Sequence, residues 1–329
     1  MTPASAALLG RSAEEEFLTR AIDGVRTGRG CAVVVLGCVG VGKTALIDAV
    51  ADGFPDVAKV RVSRADFDAG SPFSGLRGLI THSSHVLDEL PEPRSRAVRL
   101  ALGPRGDEVP DPLLLGLATL AVLRRGAEAR PLLCVVDDAH LLDPDSLRSL
   151  TFVARRLRGE RVALVFGARR VAATPDWFDG LRTLRLGPLG DEECVRLLTS
   201  VVGNVDHFAT ARVLHTARGN PRAIVEYGRA LAEWRSADGP RLPDPLRVTA
   251  GARADHVRGG DGFSAAARWC LLIASAEPTG DVDLVVSAAR HLGVDPVAVD
   301  AEVSRFFDPA GAVRFPHPLA RSVFYHSAT

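Results

Sequence analysis

Three short apolar runs stand out in the first half of the chain: Cys31 to Leu36, Leu132 to Val136 and Val162 to Phe166. They are rich in Val and Leu, apolar on both faces, and separated by longer segments with helical periodicity. Strands buried on both sides that alternate with helices indicate a parallel sheet in an α/β layer fold. The pattern predicts strands near Ala32–Leu36, Ala58–Val62, Leu132–Asp137 and Val162–Gly167, with a further short one near Thr183–Leu186. Helices fit Ala13–Arg26, Thr44–Asp52, Ser74–His85, Leu113–Arg125, Ser146–Leu157 and Pro175–Leu181, and the stretch from Glu89 to Pro112, with its five prolines, reads as a surface loop.

Beyond Pro188 the strand signals stop. Asp191–Val201, Asp206–Ala217 and Pro221–Trp234 read as three helices, a small helical subdomain, and Arg235 to Arg247 is a linker rich in Pro, Gly and Asp. The remainder is again helical (Ser264–Ser275, Val282–Leu292, Pro296–Phe306) and ends with a hairpin-like Phe307–Phe315 and one more helix, an order compatible with a winged helix. The expected organisation is therefore an α/β domain over 1–187, a helical lid over 188–234, a linker over 235–247 and a winged-helix-like domain over 248–329.

Composition narrows the classes. With 329 residues, 47% hydrophobic and 24% charged, the chain has the material for two or three small cores. Forty basic and forty acidic side chains cancel, so there is no global field to hold nucleic acid or an anionic membrane. The apolar runs fall far short of the ~20 residues that span a bilayer. Met1 to Gly10 lacks the basic start of a signal peptide, and the five scattered cysteines contain no C-x-x-C pair. A reducing, cytoplasmic setting is expected, with no membrane partner. Nearly all basic residues are Arg, which makes the lysine at position 43 conspicuous.

That lysine belongs to Gly37-Cys-Val-Gly-Val-Gly-Lys43-Thr44, which matches G-x-x-x-x-G-K-[ST] between the strand Ala32–Leu36 and a helix. Such a loop binds a nucleoside triphosphate. Backbone N–H groups from Gly37, Gly40, Val41, Gly42 and Ala45 close around phosphate oxygens, Lys43 reaches the β- and γ-phosphates, and the Thr44 hydroxyl binds Mg2+. The run Leu132-Leu-Cys-Val-Val-Asp137-Asp138 supplies the acidic strand end: Asp137 is expected to hold the metal through water and Asp138 to polarise the attacking water. The strand Val162–Gly167 ends in Arg169 and Arg170, where a cation would sense the γ-phosphate, with Arg169 preferred. His140 is expected to orient its loop rather than act as a base.

Further runs extend the pattern: Leu8-Leu9-Gly10-Arg11 followed by Glu14 to Glu16, Val135-Val-Asp-Asp-Ala-His-Leu-Leu-Asp143, Leu186-Gly-Pro-Leu189, Gly219-Asn220-Pro221 and the terminal Arg314-Phe-Pro-His317-Pro-Leu-Ala-Arg321. In this order they resemble the STAND branch of AAA-like P-loop ATPases, and within it the nucleotide-binding region of LuxR-family large ATP-binding transcriptional regulators. The resemblance implies that Leu9, Gly10 and Arg11 lie over the adenine, that Pro221 packs against the base, and that His317 touches the β-phosphate of ADP. It also implies an ATP-dependent switch that hydrolyses slowly and self-associates on ATP binding. Such regulators continue into helical sensor repeats and a helix-turn-helix, neither of which lies within these residues, so specific DNA binding is expected of none of them. A cycling AAA+ motor with Arg155 or Arg156 acting in trans, and a scaffold that binds nucleotide without turnover, are the rival expectations.

Overall fold

Among the described residues, five parallel strands form one sheet in the order β2-β3-β4-β1-β5, with β1 Cys31–Leu36, β2 Ala58–Val62, β3 Leu132–Val136, β4 Val162–Ala168 and β5 Arg182–Arg185. The structure is a computed structural model describing residues 8–63, 72–81, 86–87, 89–103, 108–169, 177–236, 248, 263–277, 279–296, 298–308, 312–315 and 317–327. Every residue of β3 and β4 is buried, as the apolar runs demand of central strands, while the edge strand β5 is largely exposed. The connection from β1 runs to the β2 edge, whereas the one from β4 passes β1 to reach β5. The carboxyl end of β1 is therefore the point where strand order reverses, which is where open α/β sheets bind ligands.

Helices cover both faces: α1 Ser12–Asp23, α2 Lys43–Asp52, α3 Ser74–Ile80, α4 Glu92–Leu102, α5 Pro112–Gly126 and α6 Pro144–Ala154. One cluster packs α3, α4, α5 and α6 against Val34, Val60, Val62, Cys134, Leu164 and Phe166. The opposite cluster packs α1 and α2 against Val33, Val35, Leu133, Val135, Ala163 and Val165. Alternate residues of one strand thus serve two cores.

Two expectations are corrected. Glu89 to Pro112 is not a continuous loop, because α4 fills its middle. Pro91 stands at the N-cap of α4 and Pro93 in its first turn, where the missing N–H has no intrahelical partner to lose, and Ser95, Ala97, Val98 and Ala101 form its buried face. The described part of Pro175–Leu181 is a turn over 177–180, ending at Gly180 with φ 78°. Residues 82–85 and 175–176 of predicted helices, Arg170, and the linker beyond residue 236 lie outside the described residues.

The chain divides into two compact units, Met1–Gly187 and Pro188–Thr329. The second contains α7 Asp191–Val202, α8 His207–Ala217, α9 Pro221–Ser236, α10 Ala265–Ala276, α11 Val282–His291, α12 Asp300–Val303 and α13 Pro318–His326. Leu319 and Val323 of α13 join the core formed by α7, α8 and α9. Tyr227 of α9 donates from its hydroxyl to the carbonyl of Pro318 at 2.8 Å and lies 3.1 Å from the Ser322 hydroxyl. A separate cluster gathers Phe263, Phe306, Phe315 and Phe324. Antiparallel bridges join Phe307 to Val313 and Asp281 to Ala312.

Candidate functional site

Gly37 follows β1, and a Cβ there would stand 2.6 Å from Val41 Cγ1 and 3.1 Å from the Leu186 carbonyl oxygen, so the turn closes only around glycine. Gly42, at φ 101°, sits at the N-cap of α2 in a conformation that side chains avoid, with open space where a Cβ would point. These two residues swing the chain from strand into helix and leave the first N–H groups of α2 directed at the loop. Lys43 is buried at 7% exposure, and its Nζ donates to the carbonyls of Gly37 and Cys38, each at 3.0 Å. Burial pushes the Lys43 ammonium below its ordinary range, the Arg169 guanidinium adds to this, and Asp138 and Asp137 oppose it.

Thr44 Oγ1 donates to Asp137 Oδ2 at 2.8 Å. The other carboxylate oxygen of Asp137 accepts the Asp138 N–H at 3.0 Å, and the Asp137 N–H donates to the Val62 carbonyl at 2.9 Å. Asp138 turns into the left-handed region at φ 51°, which Asp tolerates better than most residues. The loop that follows is anchored by Asp143, the N-cap of α6, whose Oδ1 accepts from the N–H groups of Ser146 at 2.8 Å and Phe73 at 2.9 Å.

His140 and Arg169 meet at the end of β4. The Arg169 N–H donates to His140 Nδ1 at 3.4 Å, which places the imidazole proton on Nε2. Burial, with Arg169 second, pushes the His140 imidazole down from 6.5 to about 4, so the ring is neutral at neutral pH. Its lone pair is already engaged, which removes it as a general base, and the loop-orienting role remains. Among the described residues, buried His140 Nε2 and Arg169 Nε have no hydrogen-bond partner. Two donors awaiting an acceptor, beside a buried ammonium and a glycine cradle, fit an anionic phosphate.

Arg11, 6% exposed, is held in place by Glu14 Oε1 at 3.0 Å and the carbonyls of Gly187 at 2.6 Å and Val41 at 3.4 Å. It joins the opening segment, with Gly10 at φ 67°, to the phosphate loop. The structure thus brings Lys43, Thr44, Asp137, Asp138 and Arg169 to one end of the sheet and ties Arg11 to Val41. Pro221 and His317 belong to the second unit. Pro221 is the first residue of α9, and the buried Asn220 caps that helix by accepting from the Ala223 N–H at 3.1 Å. His317 caps α13, its Nδ1 accepting from the Leu319 N–H at 3.1 Å.

Residues 7–165 match the family model described as the AAA ATPase domain. Over these residues the chain is similar to AAA ATPase domains. Comparison with the curated proteins finds no match. Among solved structures, the chain is similar to a Walker-type ATPase of Pyrococcus abyssi, with 14% identity, a TM-score of 0.60 and 96% of each chain covered. It is also similar to the ORC1 protein of Aeropyrum pernix, solved in complex with DNA, with 16% identity, a TM-score of 0.51, and 97% of this chain and 93% of that one covered. At these identities the likeness is one of fold, and the fold is that of P-loop ATPases. No helix among the described residues is long and apolar enough to cross a membrane.

Two further residues of the first unit, neither part of a sequence motif, contact the site. A Cβ on Gly167 would stand 2.6 Å from Asp137 Oδ1, so the glycine lets the carboxylate lie against β4. Its signal was a glycine inside an apolar strand, which marks a close approach. Arg61 of β2 reaches Asp137 Oδ2 at 3.4 Å, with no sequence motif to announce it.

Proposed function

We propose that the chain is an ATP-binding and slowly hydrolysing conformational switch module of a signal-responsive transcriptional regulator. The observation that carries the nucleotide chemistry is the constellation of Lys43, Thr44, Asp137, Asp138 and Arg169 at the carboxyl end of the sheet. Lys43 and Arg169 supply positive charge for the β- and γ-phosphates. Thr44 and Asp137 would hold Mg2+, which when bound would supply neutralisation of the charge that builds on the phosphates. Asp138 orients the attacking water and takes its proton, a role that the engaged lone pair of His140 leaves to it.

The regulatory part of the reading rests on the resemblance, including the adenine contacts of Leu9 to Arg11, the roles of Pro221 and His317, the winged-helix character of the last segment and self-association on ATP binding. Two arginines bear on the rival motor reading. Arg155 donates to the carbonyls of Trp177 and Asp179, each at 3.2 Å, and Arg156 lies over the Phe152 ring at 3.6 Å while donating to the Phe152 carbonyl. Both are bound within their own chain, which favours the switch.

The test is the nucleotide that survives purification, identified by mass spectrometry. Retained ADP, exchanging slowly with added nucleotide, supports a switch resting in its ADP state. A chain that retains nothing and exchanges within seconds would contradict it.

A further inference from the structure

Strand β2 is an edge strand with alternating faces. Val60 and Val62 are buried in the sheet core, while Lys59 and Arg61 face α2. Successive outward residues of a strand are about 7 Å apart and residues one helical turn apart about 6 Å, so the two spacings match rung by rung. The lower rung pairs Lys59 Nζ with Asp52 Oδ1 at 3.8 Å, and the upper rung pairs Arg61 with Asp48. Only the upper rung reaches further. The second terminal nitrogen of Arg61 lies 3.4 Å from Asp137 Oδ2, the same oxygen that accepts from Thr44 Oγ1. One guanidinium is thus shared between Asp48, one turn along α2 from Thr44, and the Asp137 carboxylate.

We propose that Arg61 is a resident counter-cation that sets how strongly the Asp137 and Thr44 pair takes up Mg2+, and that Asp48 receives it when the metal binds. The inference rests on the ATPase reading, because the metal is the one that accompanies the nucleotide. A guanidinium and a divalent cation served by the same carboxylate repel each other, so metal uptake moves Arg61 towards Asp48, with which it is already paired. Arg61 therefore weakens Mg2+ binding, and Asp48 offsets the effect by drawing Arg61 off Asp137.

The test uses the full chain and the fluorescent nucleotide mant-ADP, with its dissociation constant followed as Mg2+ is raised from chelated levels. Arg61→Gln should lower the Mg2+ concentration of half-maximal tightening by about fivefold, as expected for removing one charge at this range. Asp48→Asn should raise it, and should have no effect in the Arg61→Gln background, since Asp48 acts through Arg61. Lys59→Gln makes the same charge change one rung away and should leave the midpoint in place. Misfolding weakens binding at every Mg2+ concentration, so it cannot mimic a midpoint shifted to lower Mg2+. An unchanged midpoint in Arg61→Gln, an equal shift in Lys59→Gln, or an Asp48→Asn effect that persists in the double variant overturns the inference while leaving the ATPase reading intact. A parent that binds no mant-ADP overturns both.

Discussion

Thr44 Oγ1 lies 2.8 Å from Asp137 Oδ2, although 93 residues separate them in the chain. The contact closes the site. It joins the first turn of α2 to the end of β3, two positions that the strand order keeps apart by placing β4 between β1 and β3. The residues proposed to bind the metal are therefore assembled by the sheet rather than by any one loop.

Lys43→Ala should weaken ATP and ADP alike by about ten- to a hundredfold, the value of a charge-assisted hydrogen bond to phosphate. Asp138→Asn should leave both affinities within about twofold of the parent, since a water-orienting carboxylate contributes to the chemical step rather than to binding. Calorimetric titration of the two variants checks the division. Equal losses in both would remove Asp138 from its proposed role.

Gly167→Ala places a methyl group 2.6 Å from Asp137 Oδ1 and displaces that carboxylate. We expect a destabilisation of about 1–3 kcal/mol from overpacking. In addition, the Mg2+ concentration needed for tight nucleotide binding should rise. Chemical denaturation and Mg2+ titration measure the two effects separately, and a stable variant with the parent's Mg2+ dependence would contradict the close approach.

The sheet was legible in the chain because β1, β3 and β4 are buried on both faces and carry uninterrupted Val and Leu. The phosphate loop was equally legible, since its chemistry demands particular residues at fixed spacing. Helix α4 was not, because Pro91 and Pro93 resemble loop prolines until the buried face of Ala97, Val98 and Ala101 is counted. Arg61 was illegible for a different reason. Its significance depends on the neighbours that β2 acquires across the sheet and from α2, and an alternating edge strand shows only that one face is polar. Gly167 stood between the two: the sequence marks a close approach without naming the group that approaches.

His140 predicts a pH dependence of stability. Its imidazole falls from 6.5 to about 4 on folding, so between these values the unfolded chain binds more protons and stability rises with pH. The contribution of neutral His140 is complete above pH 6.5 and is lost as pH falls towards 4. Thermal melts of the parent and of His140→Asn should diverge over that interval, the parent losing stability more steeply on acidification. Parallel curves would contradict the burial of a neutral ring.

His317 carries two roles that can be separated. As the cap of α13 it accepts the Leu319 N–H, a role that Asn fills and Ala does not, at a cost of about 1 kcal/mol in helix stability. As the proposed ADP contact it should be missed in both variants. His317→Asn should therefore keep the parent's melting temperature while raising the ADP dissociation constant severalfold and leaving ATP affinity unchanged. Normal ADP affinity in a well-folded His317→Asn would reduce the residue to its cap.

Slow, intrachain ATP hydrolysis by Asp138 and the groups around it is read directly from steady-state phosphate release per chain across a wide range of protein concentration. Turnover should lie well below the roughly 1–10³ s⁻¹ typical of enzymes, be independent of protein concentration, and fall by about 10² or more in Asp138→Asn. Fast turnover that climbs with protein concentration, or an Asp138→Asn variant as active as the parent, would contradict it.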